Sequence, residues 1–165
     1  MNNQKIASLI DELNCDDSII RCQKARRALV VIGDEAVPSL VKALASKKKW
    51  VRWEAAKALS QIGDPSATEV LVRALEDKEF DIRWLSAEGL ITIGEKAMVP
   101  LLKALINNQK SIWLQEGAHH VLHDMDRGDW DEILIPVMAA LEGIQPSMEV
   151  PLTARKALEA IEKRA

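Results

Sequence analysis

At 165 residues, with 48% hydrophobic and 28% charged residues and only 7 Gly and 6 Pro, the sequence can bury one substantial core and is neither disordered nor collagen-like in composition. Tyr is absent, Phe80 is the single Phe, and Ala, Leu, Lys and Glu abound, which argues against a sheet and for an all-α fold. The net charge of −3 is unlike the strongly basic balance typical of nucleic-acid-binding domains.

In chain order, the opening MNNQKIASLIDEL carries Lys5, Asp11 and Glu12 where a secretory signal needs an uninterrupted apolar stretch, so no signal peptide is expected. The mostly apolar, uncharged run at 133–141 has nine residues, against the ~20 that span a bilayer, so no membrane partner is expected and the location is read as cytoplasmic. Cys15 and Cys22 lack companion His or Cys residues at ligand spacing and are read as reduced thiols.

A period governs the rest. ARRALVVIGD (25–34), AAKALSQIGD (55–64) and SAEGLITIGE (86–95) align in columns, and Gly33, Gly63 and Gly94 recur at intervals of 30 and 31. GAHHVLHDMD (117–126) continues the register with Met125 in the glycine place, and ARKALEAIEK (154–163) is a fifth copy. Each period predicts a first helix, ended by the glycine, whose apolar face in the second unit is Val51, Ala55, Ala58, Leu59 and Ile62. A second helix follows, in the copies VPSLVKAL, TEVLVRAL, VPLLKAL and IPVMAAL, with Pro38, Pro100 and Pro136 near helix starts. The expectation is an α-α superhelix, a solenoid of about four helix pairs in one domain over 1–165. Its units are 17–47, 48–78, 79–109 and 110–145. They are flanked by a capping second helix at 1–16 and a capping first helix at 146–165.

The stretch VRWEAAKALSQIGDPSATEVLVRALED resembles the HEAT-like repeat of the phycobilisome-lyase type, and the match covers nearly the whole chain. The resemblance implies an armadillo-like α-solenoid whose second helices line the concave surface. Arg52 and Arg83 fill the repeat's arginine position, which usually pairs with an acid just upstream; Asp77 holds that place before Arg83, and Ser46 departs from it before Arg52. Leu114 replaces the arginine and Met125 the glycine in the fourth copy, where distortion is expected.

Candidate functional residues follow from this register. KKKWVRW (47–53) interleaves cations with rings, as a nucleic-acid strip would, but is read as a joint between units. In that reading Trp53, 31 residues before Trp84, packs close to it on the adjacent helix, while Lys47, Lys48, Lys49 and Trp50 stay exposed. Lys42, Arg73 and Lys103 occupy matching points of successive second helices, a row that Ala139 ends; each cation also suits its helix C-terminus, and Glu69 stands four residues before Arg73. Trp50, whose counterpart is Asp81, joins them as a candidate contact for a partner. Glu116, His119 and His123 have metal-ligand spacing, but their columns are solvent positions, so no metal site is expected. His120 falls in the small-residue column of Ala28, Ala58 and Gly89, where it should force helices apart. Charge is polarised: 21–57 holds ten Lys or Arg against three acids, and 111–149 one Arg against eight. Neither a nucleophile–base pair nor a glycine-rich phosphate loop occurs, so no catalytic residue and no cofactor are expected. The sequence reads as a non-enzymatic scaffold that binds a protein or peptide on its concave face. One alternative, which only the family resemblance implies, is a lyase-like or accessory factor for a tetrapyrrole-bearing protein. Another is nucleic-acid binding through the basic N-terminal half.

Overall fold

The computed structural model describes residues 2–14 and 18–164, and all regular structure among them is helical. Ten α-helices follow one another: α1 (Asn2–Asp11), α2 (Ile19–Ile32), α3 (Val37–Leu44), α4 (Lys49–Ile62), α5 (Thr68–Ala74), α6 (Phe80–Ile93), α7 (Met98–Asn107), α8 (Ile112–Asp124), α9 (Asp131–Leu141) and α10 (Pro146–Arg164). Short 3-10 turns lead into α3, α5, α7 and α9. No described helix is long and apolar enough to cross a membrane.

The glycine column sets the first three turns. Gly33, Gly63 and Gly94 all have positive φ near 70°, and their N–H groups close α2, α4 and α6 on the carbonyls of Leu29, Leu59 and Leu90. Met125 ends α8 in extended backbone instead, with φ −74°. The exposed carbonyls that result are met by a guanidinium: Arg127 Nη1 donates to Leu122 O and to His123 O, while its Nε donates to Asp131 at 2.5 Å.

Two layers result. First helices α2, α4, α6 and α8 pack side by side, each against the second helix that precedes it, and α1, α3, α5 and α7 form the other layer. Leu29, Leu40, Leu59, Leu71, Leu90, Leu101 and Leu102 are buried between the layers, at no more than 1% exposure, so the apolar stripes of both helix types face one seam. Close approach depends on small side chains. A Cβ on Gly89 would lie 2.9 Å from Leu71 Cδ1 and 3.4 Å from the Ser60 Cα, and one on Gly117 would lie 2.9 Å from Leu75 Cδ2.

The C-terminal hairpin departs from a simple continuation of the stack. A regular order would set α9 beside α7 and α10 beside α8; instead α10 packs against α7 and α9, and α9 packs beside α8. Pro136, expected near a helix start, lies inside α9, which begins at Asp131; its ring is exposed and the Glu132 carbonyl is left without an N–H partner four residues on.

Gly89→Leu should force α6 away from α4 and lower unfolding stability in urea by at least ~2 kcal/mol. A loss below ~0.5 kcal/mol would show that the two helices do not meet there.

Candidate binding site

Ion pairs made by first-helix arginines tie α2 to α4 and α4 to the turn before α6. Arg26 on α2 donates from Nε to Glu54 Oε2 on α4 at 2.7 Å and from Nη1 to Gln61 Oε1 at 2.7 Å; both charged groups are nearly buried. Burial pushes the Glu54 carboxyl above its usual range, against the opposing charge and hydrogen bond of Arg26. Arg52 on α4 grips Asp77 with two parallel bonds, Nε to Oδ2 at 2.7 Å and Nη2 to Oδ1 at 3.1 Å. Burial raises the Asp77 pKa, but the Arg52 hydrogen bond, the Glu79 N–H and the Arg52 charge outweigh it and hold the group below its ordinary value.

This corrects the expected partner of Asp77. Its carboxylate serves Arg52, 25 residues upstream, whereas Arg83 donates to the carbonyls of Asp77 and Lys78 and lies over the rings of Trp113 (4.7 Å) and Phe80 (5.6 Å). Arg52 likewise donates to the carbonyls of Ser46 and Lys47, so both arginines tie the end of a second helix to the next first helix.

The candidate cations Lys42, Arg73 and Lys103 are all exposed, on α3, α5 and α7. Arg73 and Lys103 share a groove of about 330 Å³ with Glu69, Glu76, Asn107 and Asn108. Among the described residues no ion pair joins Glu69 to Arg73. Lys42 lines a separate groove of about 570 Å³ between α1 and α3, where Ala7, Ile10, Ala43 and Val51 give an apolar lining and Ser39, Ser46, Lys48, Asp11 and Asn14 add polar groups. The Oδ1 of Asn14 is buried in this wall and accepts no hydrogen bond among the described residues.

Trp50 stands in the other layer. It is about half exposed, meets Trp53 edge-on at 6.4 Å, and borders a cleft of about 300 Å³ with Ile19, Gln23, Trp53 and Glu54. Lys47 and Lys48 are exposed, as the joint reading expects, but Lys49 is partly buried and bonded to Glu79 Oε2 at 3.0 Å. Trp53 is half-buried against the core, yet its ring partner is Trp50 rather than Trp84. Trp84 stacks instead on His120, centroids 4.3 Å apart. His120 therefore turns out of the small-residue seam toward the surface, where its Nε2 meets Glu88 at 3.1 Å and its Nδ1 meets Asp124 at 3.2 Å.

His119 and His123 face different carboxylates, Glu142 at 2.9 Å and Asp124 at 2.6 Å, and Glu116 is exposed. Among the described residues no group of three His, Cys, Asp or Glu could hold a metal ion. Cys22 is buried and disulfide-bonded, which corrects its reading as a reduced thiol; Cys15 lies outside the described residues. Sequence reasoning missed Asn14 and Glu54. Asn14 follows α1 without any periodic signal, whereas Glu54 could have been noticed as a charge in a column that holds Leu85 one unit later.

A two-layer stack of helix pairs, tied by arginines and furrowed along its second helices, is the architecture of an α-solenoid scaffold. A family model for HEAT repeats matches residues 6–90, and the chain belongs to that family. Among solved structures it is similar to the complex of CpcE and CpcF of phycocyanin lyase from Nostoc sp. PCC7120, with 22% identity and a TM-score of 0.57 over 92% of this chain and 98% of that one. It is also similar to an engineered protein, with 25% identity and a TM-score of 0.48 over 96% of this chain and 79% of that one. A search of curated proteins found no match.

The Arg52–Asp77 pair supplies a test of this framework. With its pKa lowered on folding, Asp77 contributes stability above its unfolded pKa of ~3.9 and loses that contribution as pH falls through the folded value. Asp77→Asn should cost ~3 kcal/mol at neutral pH, and the gap to wild type should narrow as pH falls below ~4. Urea titrations across pH check both; a constant gap, or one under ~1 kcal/mol, contradicts the latch.

Proposed function

We propose that the protein is a non-enzymatic scaffold that binds an extended, partly acidic segment of a protein partner along its second helices, anchored in the groove between α1 and α3. The observation that carries this reading is the unsatisfied Oδ1 of Asn14 beside Lys42 and Lys48. A buried acceptor without a donor costs free energy, and a peptide N–H arriving in the groove would recover it. The exposed Lys42 suits a carboxylate side chain, and Ile10, Ala43 and Val51 suit an aliphatic one. A phosphate backbone offers acceptors only and would meet Asp11 in the same groove, so nucleic acid fits less well.

Arg73 and Lys103 extend the same layer with a second, mixed-charge groove in which a longer segment could continue. The lyase neighbour is itself a complex of two chains, and its likeness in fold is compatible with partner binding as the scaffold's task. An accessory role toward a tetrapyrrole-bearing protein is a special case of this reading, with the acidic segment lying on that protein.

Selection from a displayed library of random peptides tests the proposal. Enriched sequences should combine Asp or Glu with an aliphatic residue, and Lys42→Glu should weaken them at least ~10-fold, about 1.4 kcal/mol. No enrichment, or enriched peptides indifferent to Lys42→Glu, would overturn it.

A further inference from the structure

Among the described residues the first-helix layer has two ends, and the outer face of each mixes exposed aliphatic side chains with charges. At one end stands α2. Its outer stripe is Ile20, Lys24, Arg27 and Val31, spaced at i, i+4, i+7 and i+11, opposite the buried Cys22, Ala25, Arg26 and Leu29. Val31 is 87% exposed and Ile20 67%. One unit later the place of Lys24 is taken by Glu54, which is buried because α2 lies against it. Lys24 and Arg27 form no ion pair among the described residues.

At the other end stands α9, which the turned-over hairpin places beside α8 in the same layer. Its outer stripe is Glu132, Ile135, Ala139 and Glu142, with Ile135 51% exposed at its centre. Glu142 is held by His119, and Glu132 has no cationic partner among the described residues. On α2 the cations Lys24 and Arg27 stand between Ile20 and Val31, and on α9 Ile135 and Ala139 stand between Glu132 and Glu142, so each stripe mixes exposed aliphatic residues with charges, and the charges at the centre of one are opposite in sign to those flanking the centre of the other. Each also presents a small residue near its centre, the half-buried Ala28 on α2 and Ala139 on α9, so two helices can approach closely.

We propose that copies of this chain associate head to tail, the Lys24–Arg27–Val31 stripe of α2 in one copy seating on the Glu132–Ile135–Glu142 stripe of α9 in the next. The contact is heterologous: each copy uses both ends, so association proceeds in series instead of stopping at a two-fold dimer. A single pair of helix stripes is a small interface, so the contact is weak and sensitive to salt.

Sedimentation velocity of the intact chain tests this at rising protein concentration. Wild type should show an average mass that climbs with concentration and falls back toward monomer when salt rises from ~0.1 M to ~1 M, which shortens the screening length from ~10 Å to ~3 Å. Lys24→Glu with Arg27→Glu should be monomeric alone, and so should Glu132→Lys with Glu142→Lys; circular dichroism establishes that each is folded, and Glu132→Lys alone serves if the pair is not. Mixed in equal amounts, the two variants should associate again, because each basic stripe then has an acidic one to meet. A wild type that stays monomeric, variants that associate like wild type, or a mixture that stays monomeric would each overturn the proposal. A mass that plateaus at two copies would replace it with a two-fold dimer.

Discussion

The distance between successive first helices is the constraint on which the rest of the structure depends. Where α6 crosses α4, the missing side chain of Gly89 lets the backbone come within contact of Ser60 and of Leu71 on the second layer. At that separation Arg26 reaches Glu54 across a unit boundary, and Arg52 reaches Asp77 in the turn that leads from α5 into α6. A wider spacing would leave two nearly buried guanidinium groups without their carboxylates, which is far more costly than the pairs themselves are favourable. The second helices touch one another more loosely than the first helices do, and the furrows between them are the grooves that hold Lys42, Arg73 and Lys103.

Much of this was legible in the sequence because a repeat makes equivalent positions visible. Gly33, Gly63 and Gly94 announced three helix ends by their spacing, and all three adopt the backbone that only glycine takes without strain. The ten helices and the buried face containing Leu59 followed from the same columns. Periodicity identifies which residues are alike but not which neighbour each one faces. Asp77 was therefore assigned to the arginine that follows it in sequence, although the folded chain brings it to the one before. His120 was placed in the seam by its column, yet an imidazole cannot fit where Gly89 does, and it turns out to stack on Trp84.

The hairpin of α9 and α10 was illegible for a related reason. Its sequence repeats the helix pattern, so only packing distinguishes a continued stack from a turned-over one. Two local substitutions accompany the change. Met125 removes the left-handed turn that sets the direction of the chain after α2, α4 and α6, and Arg127 satisfies the freed carbonyls of α8. Trp130, in the turn before α9, then donates from its indole N–H to Glu95, at the start of the turn that leads into α7. Asn14 escaped sequence reasoning entirely, since a lone polar residue after a helix has no pattern.

In the proposed function the second-helix layer is the face that binds, while the first-helix layer holds the stack together. Backbone hydrogen exchange with and without a saturating acidic peptide separates these roles. Binding should slow exchange in α1 and α3, in the segment around Asn14 and in the start of α4 that carries Val51, and leave the first turns of α6 and α8, which carry Phe80 and Trp113, unchanged. Slowed exchange confined to those first turns, with α1 and α3 unaffected, would contradict that reading.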